Sequence, residues 1–152
     1  MAIWPNFAYN WFTLSLLNPR VPSEGKREGD VSKKVLIAVN NMIFTSKIMS
    51  ILDAMEAEGI KAIRAEEIFV KAQELRPDLI IIDLNLNGIE APSLINKLRS
   101  YNATKRIPIV CYSPHLMADQ MKAALVAGAN EVLPNSKMTS RMHQILGKYI
   151  EN

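Results

Sequence analysis

Leu79-Ile80-Ile81-Ile82-Asp83 is a continuous apolar run that ends on a carboxylate. Because apolar and polar residues do not alternate in it, the run predicts a strand that is buried on both faces, as in the centre of a parallel sheet. In open α/β sheets the carboxyl ends of such strands line the ligand crevice. The stretch therefore predicts a parallel α/β sheet with Asp83 at its functional edge.

The residues on both sides of this run alternate between strand and helix patterns. The predicted strands cover residues 35–39, 60–64, 79–83, 107–112 and 131–133. The predicted helices, which have apolar residues at spacings of three and four, cover residues 43–58, 66–75, 92–101, 118–127 and 139–149. Five βα units with right-handed crossovers predict a doubly wound, three-layer αβα sandwich.

The composition indicates one soluble domain. The chain has 152 residues, of which 49% are hydrophobic, and this is enough for a sizeable core. The net charge is +3, but the basic residues are scattered and no basic run is interleaved with aromatic residues, so no nucleic-acid partner is expected. Cys111 lies in an apolar run and is predicted to be a buried thiol. A single cysteine excludes an internal disulfide, as is typical of a cytoplasmic protein.

Residues 1–30 differ from the rest of the chain. They contain both tryptophans, Trp4 and Trp11, and show neither helical nor strand periodicity. The apolar run 11–17 has seven residues, whereas a bilayer span needs about 20, so no membrane partner is expected. We expect a disordered tail, a weak partner-binding segment or a mis-assigned start. In the last case Val31 is the true first residue, and intact-mass analysis of the native protein would decide. The predicted domain covers residues 31–152.

Several common enzyme signatures are missing from the sequence. Val39-Asn-Asn-Met42, after the first predicted strand, has no glycine, which argues against a dinucleotide site or a P-loop. There is no nucleophile elbow. No group of His, Cys and acidic residues has the spacing of transition-metal ligands. We therefore expect neither an enzyme nor a metal centre.

Two further motifs follow the later predicted strands in order. Ser113 comes directly after the fourth strand. The segment Ala124-Leu-Val-Ala-Gly-Ala-Asn-Glu-Val-Leu-Pro134 surrounds the fifth. Together with Asp83 at the end of the third strand, they resemble the receiver domain of bacterial response regulators, whose pattern is A-x-x-A-G-A-x-x-(aromatic or aliphatic)-L-x-K-P. The resemblance covers residues 33–150 and implies a flavodoxin-like sheet of order 2-1-3-4-5.

The resemblance also implies roles for single residues. In the family, the third-strand Asp is phosphorylated from a histidine kinase, an acidic pair holds Mg²⁺, a hydroxyl contacts the phosphoryl group and a lysine neutralises it. Asp83 matches the phosphoacceptor and Ser113 the hydroxyl. The acidic pair falls on Val39-Asn40, or on Asn40-Asn41 if the register slips by one, and the lysine falls on Asn135. Because Mg²⁺ prefers carboxylate oxygens, no cofactor is expected beyond weak Mg²⁺ binding.

Three short segments also resemble a divergent set of stand-alone receiver-like proteins. These segments are Asn41-Met-Ile-Phe-Thr-Ser-Lys-Ile48, Cys111-Tyr-Ser-Pro-His115 and Leu133-Pro-Asn-Ser136. In that set, an F-x-S-K/R-I first helix and an S-H after the fourth strand replace the usual residues. His115 joins the expected pocket because it follows the strand next to that of Asp83.

The combined prediction is a stand-alone pseudo-receiver in the cytoplasm. It would act by contact with a histidine kinase or another signalling protein, through the face of the fourth helix, fifth strand and fifth helix. One alternative is a phosphorylatable single-domain response regulator that uses Asp83. Another is a flavodoxin-like domain that binds or converts a small ligand in the same crevice. Plain structural roles also stay open, since Asp83 can cap the loop after its strand, and Asn40 and Asn41 can be turn residues.

Overall fold

A parallel sheet of five strands forms the centre of residues 32–113 and 117–151, the part of the chain that the computed structural model describes. The strands are β1 Lys34–Ala38, β2 Glu58–Lys61, β3 Leu79–Asp83, β4 Ile109–Ser113 and β5 Glu131–Pro134. The helices are α1 Met42–Ala54, α2 Ala65–Leu75, α3 Ala91–Ser100, α4 Ala118–Ala127 and α5 Asn135–Ile150. None of these described helices is both long enough and apolar enough to cross a bilayer.

The strand order β2-β1-β3-β4-β5 confirms the predicted doubly wound sandwich. All four neighbouring pairs are parallel. One core layer lies between the sheet and helices α1 and α5, and a second lies between the sheet and helices α2, α3 and α4. Residues 79–82 are completely buried, as their unbroken apolar pattern predicts for the central strand β3. This layering brings the carboxyl ends of β1, β3 and β4 to one edge of the sheet.

Two predicted helix boundaries are wrong. Helix α1 ends at Ala54 instead of residue 58, because Glu56 has a φ of 57° and turns the chain into β2, which begins at Glu58 instead of residue 60. Helix α5 begins at Asn135 instead of residue 139. Pro134 is its N-cap residue, with extended backbone angles, so the helix begins directly after β5 without a loop.

Arg99 of α3 connects three segments at the amino-terminal end of β4 and β5. Its Nε donates to the Gly128 carbonyl at 3.0 Å, and its two terminal nitrogens donate to the Ile107 carbonyl at 2.7 Å and to Asn130 Oδ1 at 2.8 Å. Gly128 ends α4 with a φ of 125°, and a Cβ there would lie 2.8 Å from Arg99 Cγ. The guanidinium thus determines how the chain passes from α4 into β5.

The lone cysteine belongs to the core, as predicted. Cys111 is completely buried in β4. Burial raises the pKa of its thiol to about 12, and the positive charge of Arg99 offsets only part of that rise. The thiol is therefore protonated at neutral pH and has no nucleophilic role.

Candidate functional site

Asp83 ends β3 at the carboxyl edge of the sheet. Its Cα is in register with that of Tyr112 in β4. Its Oδ1 accepts the backbone N–H of Asn85 at 2.8 Å, so the carboxylate caps the loop that follows the strand. The plain structural role of Asp83 as a loop cap is therefore present.

The Asp83 carboxyl group is partly buried without a compensating cation. Burial raises its pKa above the usual 3.8, and the Asn85 backbone N–H and the nearby Tyr112 hydroxyl offset part of that rise. The ion pairs among the described residues join Lys33 to Asp78, Lys71 to Glu67 and Lys148 to Glu131, and none includes Asp83. The edge of the sheet thus holds a carboxylate at an energetic cost.

The two asparagines after β1 lie in the turn into α1, and one of them caps that helix. Asn41 is the N-cap of α1, and its Oδ1 accepts the Phe44 N–H at 3.0 Å. The Thr45 hydroxyl donates back to the Val39 carbonyl at 3.3 Å, which closes the turn between β1 and α1. Asn40 is exposed. The turn-residue interpretation thus describes Asn41 well, because its amide oxygen is already used.

The other predicted pocket residues lie at the carboxyl ends of β4 and β5 or just beyond them. Ser113 is the last residue of β4 and is almost completely buried. Asn135 is the first residue of α5, and its Oδ1 lies 3.5 Å from the Thr139 hydroxyl. Ser113 pairs with Pro134, the residue before Asn135. Ser113 and Asn135 therefore lie at the edge of the sheet that holds Asp83. His115 lies outside the described residues.

Two aromatic residues that were not among the predicted pocket residues form a stack at this edge of the sheet, and one of them, Tyr112, lies beside Asp83. Tyr112 and Phe44 stack with their ring centroids 4.4 Å apart and their planes 7° from parallel. Both rings are buried. Burial raises the pKa of Tyr112, and the Asp83 charge raises it further. Even so, the Tyr112 hydroxyl has no hydrogen bond of standard geometry with any described residue.

The side chains at this edge do not suit a magnesium ion. Mg²⁺ in proteins is bound through carboxylates and keeps several of its waters in a near-octahedral shell. Among the described residues, no group of three or more His, Cys, Asp and Glu side chains could hold a metal ion. Asp83 is accompanied instead by amides at positions 40, 41 and 135.

A separate cleft of about 300 Å³ lies between the β3–α3 segment and α4. It is lined by Leu84, Ile89, Glu90, Ala91, Pro92, Asp119, Gln120 and Ala123. None of the predicted pocket residues is in its lining. The cleft therefore gives no support to a ligand site built from Asn40, Asn41 and Asp83.

The chain matches a known protein family over most of its length. The family model described as "Response regulator receiver domain" matches residues 35–146. The phosphate regulon regulatory protein PhoB of Rhizobium meliloti (strain 1021) is 31% identical over 80 residues, which are 51% of this chain and 35% of PhoB. The KDP operon regulatory protein KdpE of Escherichia coli (strain K12) is 32% identical over 83 residues, 53% of this chain and 36% of KdpE. The chain thus spans about a third of the length of these relatives.

Solved structures show the same fold at low sequence identity. The receiver domain of the sensor histidine kinase PA1611 from Pseudomonas aeruginosa PAO1, with magnesium in its active site cleft, has a TM-score of 0.69 and 19% identity, over 80% of this chain and 100% of that one. The phosphorylated cyanobacterial phytochrome response regulator RcpA has a TM-score of 0.68 and 21% identity, over 78% of this chain and 94% of that one.

Proposed function

The chain belongs to the response regulator receiver family, and from this premise we propose that it is a pseudo-receiver, a signalling domain that works by protein contact without phosphorylation of Asp83. The receiver fold alone leaves this question open, because it occurs with and without a working phosphorylation site. The decision depends on the side chains at the carboxyl edge of the sheet.

One observation carries the proposal: among the described residues, no cationic side chain forms an ion pair with Asp83 that could neutralise an incoming phosphoryl group. Phosphoryl transfer depends on a metal ion and a cation to offset the developing negative charge. The family's acidic pair falls on Val39-Asn40 or on Asn40-Asn41, neither of which has a carboxylate, and the Asn41 amide oxygen accepts the Phe44 N–H. Asn135 stands at the position of the family's lysine. A neutral amide supplies neither a hard anionic ligand nor a positive charge.

Receiver domains interact with histidine kinases and other signalling proteins. For this chain we infer that the interface is the face made by α4, β5 and α5. Leu125 and Val126 of α4 are 49% and 79% exposed, so this face presents two adjacent aliphatic side chains to solvent. Strand β5 is an edge strand whose four residues are only partly buried. A partner protein in the cytoplasm would cover this surface.

The test is an NMR titration of the full chain with Mg²⁺ and then with Mg²⁺ plus beryllofluoride, which mimics an aspartyl phosphate. We expect no saturable shifts around Asp83, Asn40 and Ser113. Acetyl phosphate with Mg²⁺ should likewise add no phosphoryl mass to the intact chain. The matched control is Asp83→Asn. Saturable shifts, or a phosphoryl adduct that the control lacks, would show a working phosphorylation site and overturn the proposal.

A further inference from the structure

The stacked rings of Phe44 and Tyr112 bridge the strand that carries Asp83. Phe44 lies in the first turn of α1, which follows β1, and Tyr112 lies in β4. Strand β3 runs between β1 and β4, so a ring pair that joins α1 to β4 spans β3. Side chains alternate along a strand, and Asp83 therefore points to the same face as Ile81, which packs in one cluster with both rings.

This arrangement makes the surroundings of Asp83 apolar on the side that faces α1. Tyr112 is 2% exposed and Phe44 is 8% exposed, so the stack itself is closed to water, whereas Asp83 is only partly buried. The Tyr112 hydroxyl is itself without a standard hydrogen bond among the described residues, although it lies close to Asp83. A buried hydroxyl usually finds a partner, either in the protein or in an ordered water.

We propose that the Tyr112 ring, backed by Phe44, occupies the space beside the Asp83 carboxylate. We call this space the Asp83 cleft. The ring closes it to a hydrated divalent cation, independently of the missing acidic pair. The ion needs room for its waters, and the ring occupies the carboxylate's flank. Tyr112 is thus a specificity-determining residue of this cleft. The inference rests on the proposed function and deepens it, because restoring the carboxylates alone would then fail to restore magnesium binding.

The experiment restores the acids with and without the aromatic block. The starting variant is Asn40→Asp with Asn41→Asp, in which aspartate keeps the N-cap of α1. Calorimetry of the full chain measures its Mg²⁺ affinity, and NMR follows the shifts around Asp83. We expect an affinity close to that of the wild type. Adding Tyr112→Leu should tighten Mg²⁺ binding by at least about 10-fold, or about 1.4 kcal/mol.

Two controls separate the ring from its hydroxyl and from general loosening of the core. Tyr112→Phe in the same background keeps the ring, so the cleft should stay closed to Mg²⁺. Phe69→Leu removes a buried ring from the opposite layer of the sandwich, and it should leave the Mg²⁺ affinity unchanged. Thermal melts accompany each variant. If Tyr112→Leu does not fold, Tyr112→Met replaces it, because the flexible thioether fills irregular space in a core.

The outcomes distinguish this inference from the proposed function. If the Asn40→Asp, Asn41→Asp variant binds Mg²⁺ equally well with tyrosine and with leucine or methionine at 112, the inference is wrong while the pseudo-receiver proposal stands. If Tyr112→Phe opens the cleft, the ring is not the block. If the wild type itself binds Mg²⁺ saturably and accepts a phosphoryl group, the proposed function fails together with the inference.

Discussion

At the scale of single residues, the negative charge of Asp83 lowers stability, although its hydrogen bond to the loop does not need that charge. A partly buried carboxylate without a cation lowers stability when it is ionised. Its one described hydrogen bond, from the Asn85 N–H, stabilises the loop after β3. An asparagine side chain has an acceptor oxygen that could do the same without the charge. The charge of Asp83 is therefore a feature that the fold does not require.

Replacing Asp83 by asparagine is expected to stabilise the protein at neutral pH. The pKa of the folded state lies above the usual 3.8, so the folded chain binds more protons than the unfolded chain. The contribution that protonated Asp83 makes to the free energy of unfolding is fully present below pH 3.8. It is lost as the pH rises through the folded-state pKa of this carboxyl group. Thermal melts of wild type and Asp83→Asn should thus differ at pH 7, with the variant higher, and converge towards pH 3.8.

Asp53→Asn is the matched control for this experiment, because Asp53 is exposed. It should change the melting temperature little at either pH. A variant of Asp83 that melts lower than wild type at pH 7 would mean that the carboxylate has a stabilising partner.

At the scale of secondary-structure elements, the first turn of α1 depends on Asn41. Changing Asn41 to alanine removes the acceptor for the Phe44 N–H and should lower the free energy of unfolding by about 1 kcal/mol. Asn40→Ala, next to it and exposed, should change that free energy by less than about 0.5 kcal/mol. Urea unfolding curves measure both. Equal losses would show that the cap contributes nothing beyond a general effect of the turn.

The turn between α4 and β5 depends on α3 through Arg99. Arg99→Met keeps much of the side-chain length but removes the donors to Gly128, Ile107 and Asn130, and should lower the free energy of unfolding by about 2 kcal/mol. Arg106→Met is the control, since Arg106 is exposed. Urea unfolding, with NMR shifts of the α4–β5 turn, tests both. A loss no larger than that of the control would contradict the role of this network.

The elements themselves were largely predictable from the sequence, and the reasons are local. Continuous apolar runs and three-to-four spacings reflect burial within one strand or helix, so β3 and α4 are predicted with the bounds that the structure has. The early end of α1 was not predictable, because nothing in the sequence at Glu56 marks a left-handed residue. The early start of α5 depends on Pro134, whose ring suits the entry to a helix.

The candidate site was predictable only in part, for a physical reason. Asp83 and Ser113 are the last residues of their strands and Asn135 directly follows β5, so parallel topology alone places them at one edge. The stack of Phe44 on Tyr112 joins α1 to β4 across β3, and no spacing along the chain encodes such a contact. The use of Asn41 as a helix cap also requires the start of α1 to be known within one residue.

At the scale of the whole molecule, every buried hydrophobic residue among those described lies between Val35 and Ile150. The receiver-like unit, Ser32–Asn152, therefore contains both core layers. We expect a chain that begins at Ser32 to unfold in a single cooperative transition, as small domains do. Thermal melts by far- and near-ultraviolet circular dichroism should coincide. A broad melt without near-ultraviolet signal would show that residues 1–31 are needed for native packing.

The stacked rings also give the protein an intrinsic spectroscopic signal. Both tryptophans precede residue 32, so a chain that begins at Ser32 has only tyrosine and phenylalanine as near-ultraviolet chromophores. Of its three tyrosines, Tyr112 alone is held face to face with another ring at 4.4 Å. Rigidly packed aromatic rings give circular dichroism bands that vanish when the packing loosens. Tyr101 packs edge-on against Phe69, so the tyrosine band reports, without a label, on ring packing that includes the Phe44–Tyr112 stack.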